Sequence, residues 1–187
     1  GCEYEYYASD ITRTFPVNGR FTKAQRAIYD LVHAANLAAI EQVRPGRHWD
    51  EPHMAAVNVI TAGLVELGLL QGKVPQLVQQ GAYREFFMHR TGHWIGMDVH
   101  DVGQYRELSE TSSTAEKPWR ILRPGMVTTI EPGIYVRPAP GVPEQYWNIG
   151  IRIEDDALVT DGGCEILSAA APKSVADIEA LMRDRHG

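Results

Sequence analysis

The segment at residues 149–154 alternates strictly between isoleucine and other residues, which is the pattern of a β-strand with one apolar face. Its three isoleucines fall on one face, and Gly150, Arg152 and Glu154 fall on the other. A glutamate and an arginine on a strand flanked by isoleucines indicate a functional site. The alternative is a half-exposed edge strand with a salt-bridged face, and the pattern alone does not separate the two.

A second strand is predicted at residues 126–136, joined to a strand at residues 147–160 by the proline-rich loop 137–143. Glu131 lies in the apolar part of this second strand. A carboxylate there is costly unless it is paired or bound to a metal. The alternative is an exposed strand end before the turn at Pro132 and Gly133.

Helical patterns dominate the first half of the chain. Thr22 and Gln25 form a capping-box pattern, which predicts a helix from there to about residue 43. A second helix is predicted at residues 50–67, with Asp50 as its cap and Gly68 as its end. The stripe predicted to be buried on the first helix consists of Ile28, Leu31, Val32, Ala35 and Ala38.

The remaining segments are short or irregular, and no repeat or linker divides the chain. A single domain over residues 1–187 is therefore expected. The other predicted elements are two short strands within residues 2–15 around a turn near Ala8 and Ser9, a loop with a short helix at 72–84, an exposed loop at 106–120, and a terminal helix at 174–185 capped by Ser174.

Charge and cysteine content narrow the function classes. The net charge is -6, from 18 basic and 24 acidic side chains, so nucleic acid and anionic membranes are poor partners. No apolar run reaches the roughly 18 residues of a membrane span. Cys2 and Cys164 are too few for a disulfide framework. They form either one bridge or, as we expect, two free thiols in a reducing compartment, which favours the cytoplasm.

Four residues together suggest metal chemistry, although each has an ordinary alternative. Asp10 alone would more often be a turn or cap residue, and His93 alone would more often be a hydrogen-bonded core histidine. With Glu131 and Glu154 they form an oxygen-rich set with one imidazole, which suits divalent ions such as Mn²⁺. Bridging carboxylates hold two such ions roughly 3.5–4 Å apart around a shared hydroxide. This is hydrolase chemistry.

Four segments of the chain resemble motifs of the bacterial Xaa-Pro aminopeptidases (aminopeptidase P), which belong to the creatinase-like pita-bread metallopeptidases. The motifs occur in the family's order, and the resemblance runs from Gly1 nearly to the C-terminus. It implies an α+β pita-bread fold that is incomplete at the N-terminus. The segments are YASDITRTFPV at residues 7–17, GHWIGMDVHD at 92–101, EPGIY at 131–135 and GIRIEDD at 150–156.

The resemblance also implies roles for individual residues. Asp10 and Glu154 would bridge two metal ions, most often Mn²⁺ with Zn²⁺ or Co²⁺ as alternatives, and His93 and Glu131 would complete the shell of the first ion. Glu131 would also take the proton of the attacking water. The residues that would contact the substrate are His89, His100, Arg152 and Tyr135, with both histidines donating to the scissile carbonyl or oxyanion. Asp98 and Asp101 would either orient neighbouring groups or, as we expect, cap the loop backbone.

The implied activity is hydrolysis of the bond between an N-terminal residue and a following proline, in an enzyme that commonly self-associates. Two alternatives stay open. Prolidase, which cleaves Xaa-Pro dipeptides, shares most motifs, and Arg90-Thr91 after His89 is closer to the prolidase form of this loop than to that of aminopeptidase P. A side chain at Arg90 would either alter the substrate cleft or, as we expect, point to solvent. The second alternative is a non-catalytic pita-bread binding module.

The family carries a further aspartate ligand in an Asp-Ala-Gly sequence, eleven positions before the equivalent of Asp10. That position would precede Gly1, so the second metal site is expected to be incomplete in these 187 residues. The pita-bread fold pairs two similar halves around the site. We therefore expect a complementary N-terminal segment of the same protein, or a second chain, to complete the fold, and the isolated chain to be weakly active or inactive.

Overall fold

The computed structural model describes residues 1–107 and 117–184. It contains α-helices and antiparallel β-strands, and the longest helix packs against strands of two sheets, so the predicted α+β class is confirmed. The helices are α1 (Lys23–Ile40), α2 (Glu51–Glu66), α3 (Val74–Gln80) and α4 (Val175–Asp184). The strands are β1 (Glu3–Tyr4), β2 (Tyr7–Ala8), β3 (Val127–Ile130), β4 (Gly133–Val136), β5 (Ile149–Arg152), β6 (Asp155–Thr160) and β7 (Gly163–Ile166).

Helix α1 begins and packs as its sequence predicts. The Thr22 hydroxyl accepts from the backbone of Gln25, and the Gln25 side chain accepts from the backbone of Thr22, so the capping box is confirmed. In the predicted stripe, Ile28, Val32 and Ala35 are buried, whereas Leu31 and Ala38 are half-buried. The most extensive packing of α1 is against α2, and its buried side also covers β3, β4 and β5.

Helix α2 matches its predicted bounds, but its cap differs from the prediction. Asp50 occupies the cap position without a side-chain hydrogen bond to the helix. Its carboxylate instead accepts from Arg90 at 2.5 Å. Because Pro52 stands in the first turn and carries no N–H, the helix has one fewer donor to satisfy there. Gly68, with φ of 74°, ends the helix as predicted.

The two predicted late strands are each interrupted once, so they form four strands. β3 pairs with β6 and β4 pairs with β5, both antiparallel, and the neighbouring strand β7 was not predicted. The last pair on one side of the gap is Ile130 with Asp155, and the first on the other side is Gly133 with Arg152. Two residues are skipped on each strand, so the register is the same on both sides.

The segment at residues 2–15 also differs from the prediction. Its hairpin turns at Glu5 and Tyr6, which adopt φ of 49° and 71°, and not near Ala8 and Ser9. The residues after β2 form no regular strand. The short helix within 72–84 and the Ser174 cap of α4 are confirmed, whereas Arg185 and residues 108–116 of the predicted loop lie outside the described residues.

The structure leaves both Cys2 and Cys164 unbridged. Across the described residues, no helix has the length and apolar character needed to cross a membrane.

Candidate metal centre

The interruption of the sheet brings two glutamates together. Because two residues are skipped on each strand in an unbroken register, Glu131 lies opposite Glu154. Pro132 has no N–H to donate to a ladder, and its carbonyl accepts a long bond of 3.3 Å from Ile153. The backbone N–H groups of both glutamates donate to other segments of the chain and not to each other's strand. Their carboxylates remain on the same face of the sheet.

Those other segments carry the two remaining candidate ligands. The N–H of Glu131 donates to the Thr91 carbonyl at 2.7 Å, and Thr129 donates to the His93 carbonyl at 3.0 Å. On the opposite side, the N–H of Glu154 donates to the Thr12 carbonyl at 3.0 Å. Four extended segments thus run side by side. In order they carry Asp10, Glu154, Glu131 and His93.

The three candidate carboxylates converge on Nε2 of the fourth candidate, His93. This nitrogen lies 3.5 Å from Asp10 Oδ2 and 3.7 Å from Glu131 Oε1. Ligand atoms of His93, Glu131 and Glu154 all lie within 4.8 Å of one another, as do those of Asp10, His93 and His100. Nδ1 of His93 is occupied by a bond of 2.9 Å to the Trp94 carbonyl. Nε2 is therefore the nitrogen that is available to a metal.

The electrostatics of this cluster fit a divalent cation. Burial, reinforced by the charge of Asp10, raises the pKa of Glu131 to about 7. Burial also raises the pKa of Glu154 to about 8, although the Thr12 hydroxyl donates to this carboxylate at 2.5 Å. His93 Nε2 is buried without a hydrogen-bond partner among the described residues. Buried carboxylates whose pKa values are raised, next to an imidazole nitrogen without a hydrogen-bond partner in the described residues, form a donor set that suits a divalent metal.

Three further candidates surround this cluster. The ring of His100 meets the ring of His93 edge-on, with centroids 4.3 Å apart, so both face the same space. Arg152 Nη1 lies 3.8 Å from Glu131 Oε2. Asp101 accepts from the N–H of Val102 at 2.8 Å, which is the loop-capping role expected for it.

His89 and Tyr135 form a hydrogen-bonded pair next to the cluster. His89 Nδ1 lies 2.7 Å from the Arg90 carbonyl, which only accepts, so Nδ1 carries the proton. Burial lowers the pKa of His89, which favours the neutral ring, and with the proton on Nδ1 the Nε2 atom accepts from the Tyr135 hydroxyl at 2.9 Å. The donor role towards a substrate that is expected for His89 stays a prediction.

A buried ion-pair network supports the cluster and was missed in the sequence. Asp155, next to Glu154, is fully buried and is bound by Arg13 and by Lys173, both at 2.7 Å. Arg13 also donates to the Glu154 carbonyl at 2.6 Å, so it connects the segment of Asp10 to the strand of Glu154. The sequence signal was Arg13 itself, three residues after Asp10, but its partner lies 142 positions away.

A cleft of 540 Å³ opens beside the cluster. Its lining includes residues of the cluster and its neighbours, which are His89, His93, Glu131 and Arg152. The other lining side chains are Trp49, Arg90, Tyr105 and Trp119. Arg90 is exposed, as expected, and its guanidinium also pairs with Asp50 and lies over the Trp119 ring.

Comparison with known proteins identifies the family. The profile described as metallopeptidase family M24 matches residues 1–161. The chain belongs to metallopeptidase family M24. One relative, an Xaa-Pro aminopeptidase of Haemophilus influenzae, is 52% identical over 182 residues. These residues cover 97% of this chain and 40% of the relative. The chain therefore spans about two fifths of the length of the curated relatives that it matches.

Two other M24 proteins extend the comparison. The structure of Pseudomonas aeruginosa aminopeptidase PepP superposes with a TM-score of 0.92 at 57% identity, covering 98% of this chain and 40% of that chain. This likeness confirms the pita-bread fold and the resemblance to aminopeptidase P. A mouse Xaa-Pro dipeptidase is 38% identical over 203 residues, covering 97% of this chain and 41% of the relative. Both substrate classes considered from the sequence thus occur among the M24 relatives.

Proposed function

We propose that the protein carrying this chain is a metal-dependent exopeptidase that hydrolyses the bond between an N-terminal residue and a following proline. The observation that carries the proposal is the convergence of Asp10, Glu131 and Glu154 on the unpartnered Nε2 of His93. The likeness to Xaa-Pro aminopeptidases supports the substrate class.

The metal would be held by Asp10, His93, Glu131 and Glu154, with Asp10 and Glu154 in the bridging positions. Manganese is our first choice because three of the four donors are carboxylates, and zinc or cobalt are alternatives to be tested. Two divalent ions bound there would supply an activated water and polarise the scissile carbonyl.

Glu131 is the residue we assign to proton transfer. Because its backbone is anchored to Thr91, its carboxylate is held at the centre of the cluster. Arg152 is the nearest cation in the described part of the chain, and at 3.8 Å it is too far to form a hydrogen bond with Glu131. A carboxylate held beside the activated water would accept a proton from it and return that proton to the leaving proline nitrogen.

The remaining groups would position the substrate. His100 shares the space in front of His93 and is our donor to the scissile carbonyl or oxyanion. His89 and Tyr135 would act as a pair, in which His89 fixes the hydroxyl of Tyr135 in the cleft. Proline has no amide hydrogen, so the site must recognise the shape of its ring, and the aromatic faces of these residues suit that contact. Arg152 would bind the substrate backbone.

The test is hydrolysis of matched peptides by the Mn²⁺-loaded protein. We expect cleavage of Ala-Pro-Ala and no cleavage of Ala-Ala-Ala. Glu131→Gln should lower kcat by about 10²–10⁴-fold, the usual contribution of a general base. The control is Glu144→Gln, because Glu144 is an exposed glutamate that is not among the candidate ligands. Equal cleavage of both tripeptides would reject the proposed specificity.

Prolidase is the second candidate, supported by the likeness to the mouse Xaa-Pro dipeptidase. The two functions differ in whether a residue may follow the proline. Cleavage of the dipeptide Ala-Pro without cleavage of Ala-Pro-Ala would favour prolidase. A binding module would have no need of clustered, unpaired carboxylates, so absence of bound metal after manganese titration is the result that would favour that alternative.

Location and assembly are part of the same proposal. Two unbridged cysteines are compatible with a reducing compartment, and we propose a cytoplasmic protein. We also propose self-association, by analogy with the family. Cell fractionation and light scattering of the purified protein test these points.

A further inference from the structure

Two arginines, Arg90 and Arg106, lie over the ring of Trp119, and both Arg90 and Trp119 line the cleft. The guanidinium carbon of Arg106 is 3.3 Å from the centroid of the Trp119 ring, and that of Arg90 is 4.9 Å from it. A guanidinium stacked on an aromatic ring keeps its N–H groups in its own plane, free to bind a planar anion. We call these three residues the Arg–Trp wall.

The Arg–Trp wall is held firmly by its backbone. Arg106 and Trp119 form an antiparallel bridge, and the N–H of Arg120 donates to the Tyr105 carbonyl at 3.0 Å. The N–H of Trp49 donates to the Arg120 carbonyl at 2.8 Å, which connects the wall to the start of α2. The position of the Trp119 ring is therefore set by the fold and does not depend on a ligand.

The wall retains capacity to bind an anion. Arg90 uses Nη2 for its bond to Asp50, and no partner is found for its other N–H groups within the described residues. Arg106 uses Nη1 for the Lys117 carbonyl and forms no ion pair in that part of the chain. A carboxylate that approaches Trp119 along the cleft therefore meets Arg90, whose acidic partner among the described residues is Asp50, while Arg106 adds positive charge on the same tryptophan.

The geometry of the cleft indicates which part of a peptide reaches this wall. The cleft is lined by His93 and Glu131 of the candidate metal cluster and also by Arg90 and Trp119. An exopeptidase that removes one residue has no further chain on the N-terminal side of the scissile bond, so any chain that extends along the cleft follows the proline. A positively charged amino terminus would be repelled by Arg90 and Arg106.

We propose that the Arg–Trp wall is a subsite for a carboxylate on the residue that follows the proline, with Arg90 as the principal ligand. This inference rests on the proposed exopeptidase function. The carboxylate is either an acidic side chain or the free C-terminus of a tripeptide. These sources share one chemistry, and the experiment separates them.

The experiment measures kcat/KM of the Mn²⁺-loaded protein for two substrate pairs. Ala-Pro-Glu-amide against Ala-Pro-Gln-amide isolates the side chain, and Ala-Pro-Ala against Ala-Pro-Ala-amide isolates the terminus. We expect the carboxylate member of at least one pair to be preferred by about tenfold, because a hydrogen bond to a charged group contributes on that scale. The pair that shows the preference identifies the source.

Two variants separate binding of a substrate by Arg90 from a structural role of its ion pair. Arg90→Gln should reduce the preference to near unity. Asp50→Asn also breaks the ion pair but frees Arg90, so the preference should be kept or should rise. The Asp50 side chain makes no capping bond to α2, so this change leaves the helix start intact. Loss of the preference in Asp50→Asn would overturn the inference.

Failure of the inference and failure of the proposed function give different results. Equal kcat/KM within both pairs, with all substrates cleaved, overturns the carboxylate subsite and leaves the exopeptidase function standing. If no substrate is cleaved, calorimetric binding of Pro-Glu-amide against Pro-Gln-amide and of Pro-Ala against Pro-Ala-amide decides the question. Tighter binding of at least one carboxylate member that depends on Arg90 supports the subsite, and equal binding within both pairs rejects it.

Discussion

Arg13 binds Asp155 with its Nη2 atom 2.7 Å from Oδ1 and, through Nη1, binds the carbonyl of Glu154 at 2.6 Å. Burial would raise the pKa of Asp155, but hydrogen bonds from Lys173, Ser168 and Arg13 outweigh it and lower that pKa. A single guanidinium therefore joins the segment of one candidate ligand, Asp10, to the strand of another, Glu154.

The first prediction concerns this ion pair. Arg13→Met should lower the free energy of unfolding by about 2–4 kcal/mol, because it leaves the buried Asp155 carboxylate with Lys173 as its remaining cation. The control is Arg26→Met, which breaks an ion pair to Glu179 of 3.4 Å that is half exposed, and it should cost less than about 1 kcal/mol. Urea denaturation of both variants is the measurement. Equal losses would show that the buried pair has no special role.

A second prediction concerns the raised pKa of Glu154, which burial brings to about 8. A carboxyl whose pKa is raised on folding contributes stability that is fully present below its unfolded pKa of 4.5 and is lost as the pH rises through about 8. Glu154→Gln should therefore raise the Tm of the metal-free protein at pH 8 by about 2–4 °C for each kcal/mol gained.

The same substitution should abolish the rise in Tm that Mn²⁺ causes in the parent protein, because it removes a ligand. Glu144→Gln, at an exposed position, should change neither value. A lower Tm for metal-free Glu154→Gln at pH 8 would contradict this account.

The third prediction tests the close approach at Gly92. A Cβ atom at this position would overlap the Thr129 carbonyl, which belongs to the strand that leads to Glu131. Gly92→Ala should therefore push the His93 segment away from that strand and weaken Mn²⁺ binding by about 10–100-fold, as losses around metal ligands do. Gly162→Ala is the matched control, since a Cβ there meets nothing within 4 Å. Calorimetric titration compares the two, and similar affinities would be the unfavourable result.

The fourth prediction follows from His53, which is buried and hydrogen-bonded to the Thr91 hydroxyl at 2.8 Å. Burial, with a smaller effect of Arg90, lowers its pKa from 6.5 to about 4. Stability due to neutral His53 is present above pH 6.5 and is lost as the pH falls towards 4. The full loss amounts to about 3 kcal/mol.

His53→Gln keeps a side chain that can bond to Thr91 but cannot be protonated in this range. Denaturation curves at pH 7 and pH 4.5 should therefore differ less for His53→Gln than for the parent protein. His48→Gln provides the control, because His48 is exposed. An unchanged pH dependence in His53→Gln would show that the acid sensitivity arises elsewhere.

The sequence predicted the elements whose signals are local. The capping box at Thr22 and Gln25 fixes the start of α1, and the alternation at residues 149–154 identifies the strand of Glu154. Both patterns depend on neighbours within a few residues, which is why sequence reasoning finds them. The motifs likewise named Asp10, His93, Glu131 and Glu154 as candidate ligands, although their proximity became visible only in the structure.

What the sequence did not predict depends on partners far along the chain. The strand interruption at Glu131 requires Thr91 to take its N–H, and the ion pair of Arg13 requires Asp155. The contacts that the exposed Arg90 makes with Asp50 and Trp119 are likewise indicated by nothing nearby in sequence. Such relationships are set by tertiary packing, which overrides local preference.

Because Glu131 lies opposite Glu154, only the native register between their two strands brings the two carboxylates together. A slip of two residues between these strands would keep every isoleucine on its proper face, so hydrophobic burial alone would hardly oppose it. The same slip would carry the two carboxylates about 7 Å apart along the strands. A divalent cation held between the two carboxylates would therefore stabilise the native register over the slipped one.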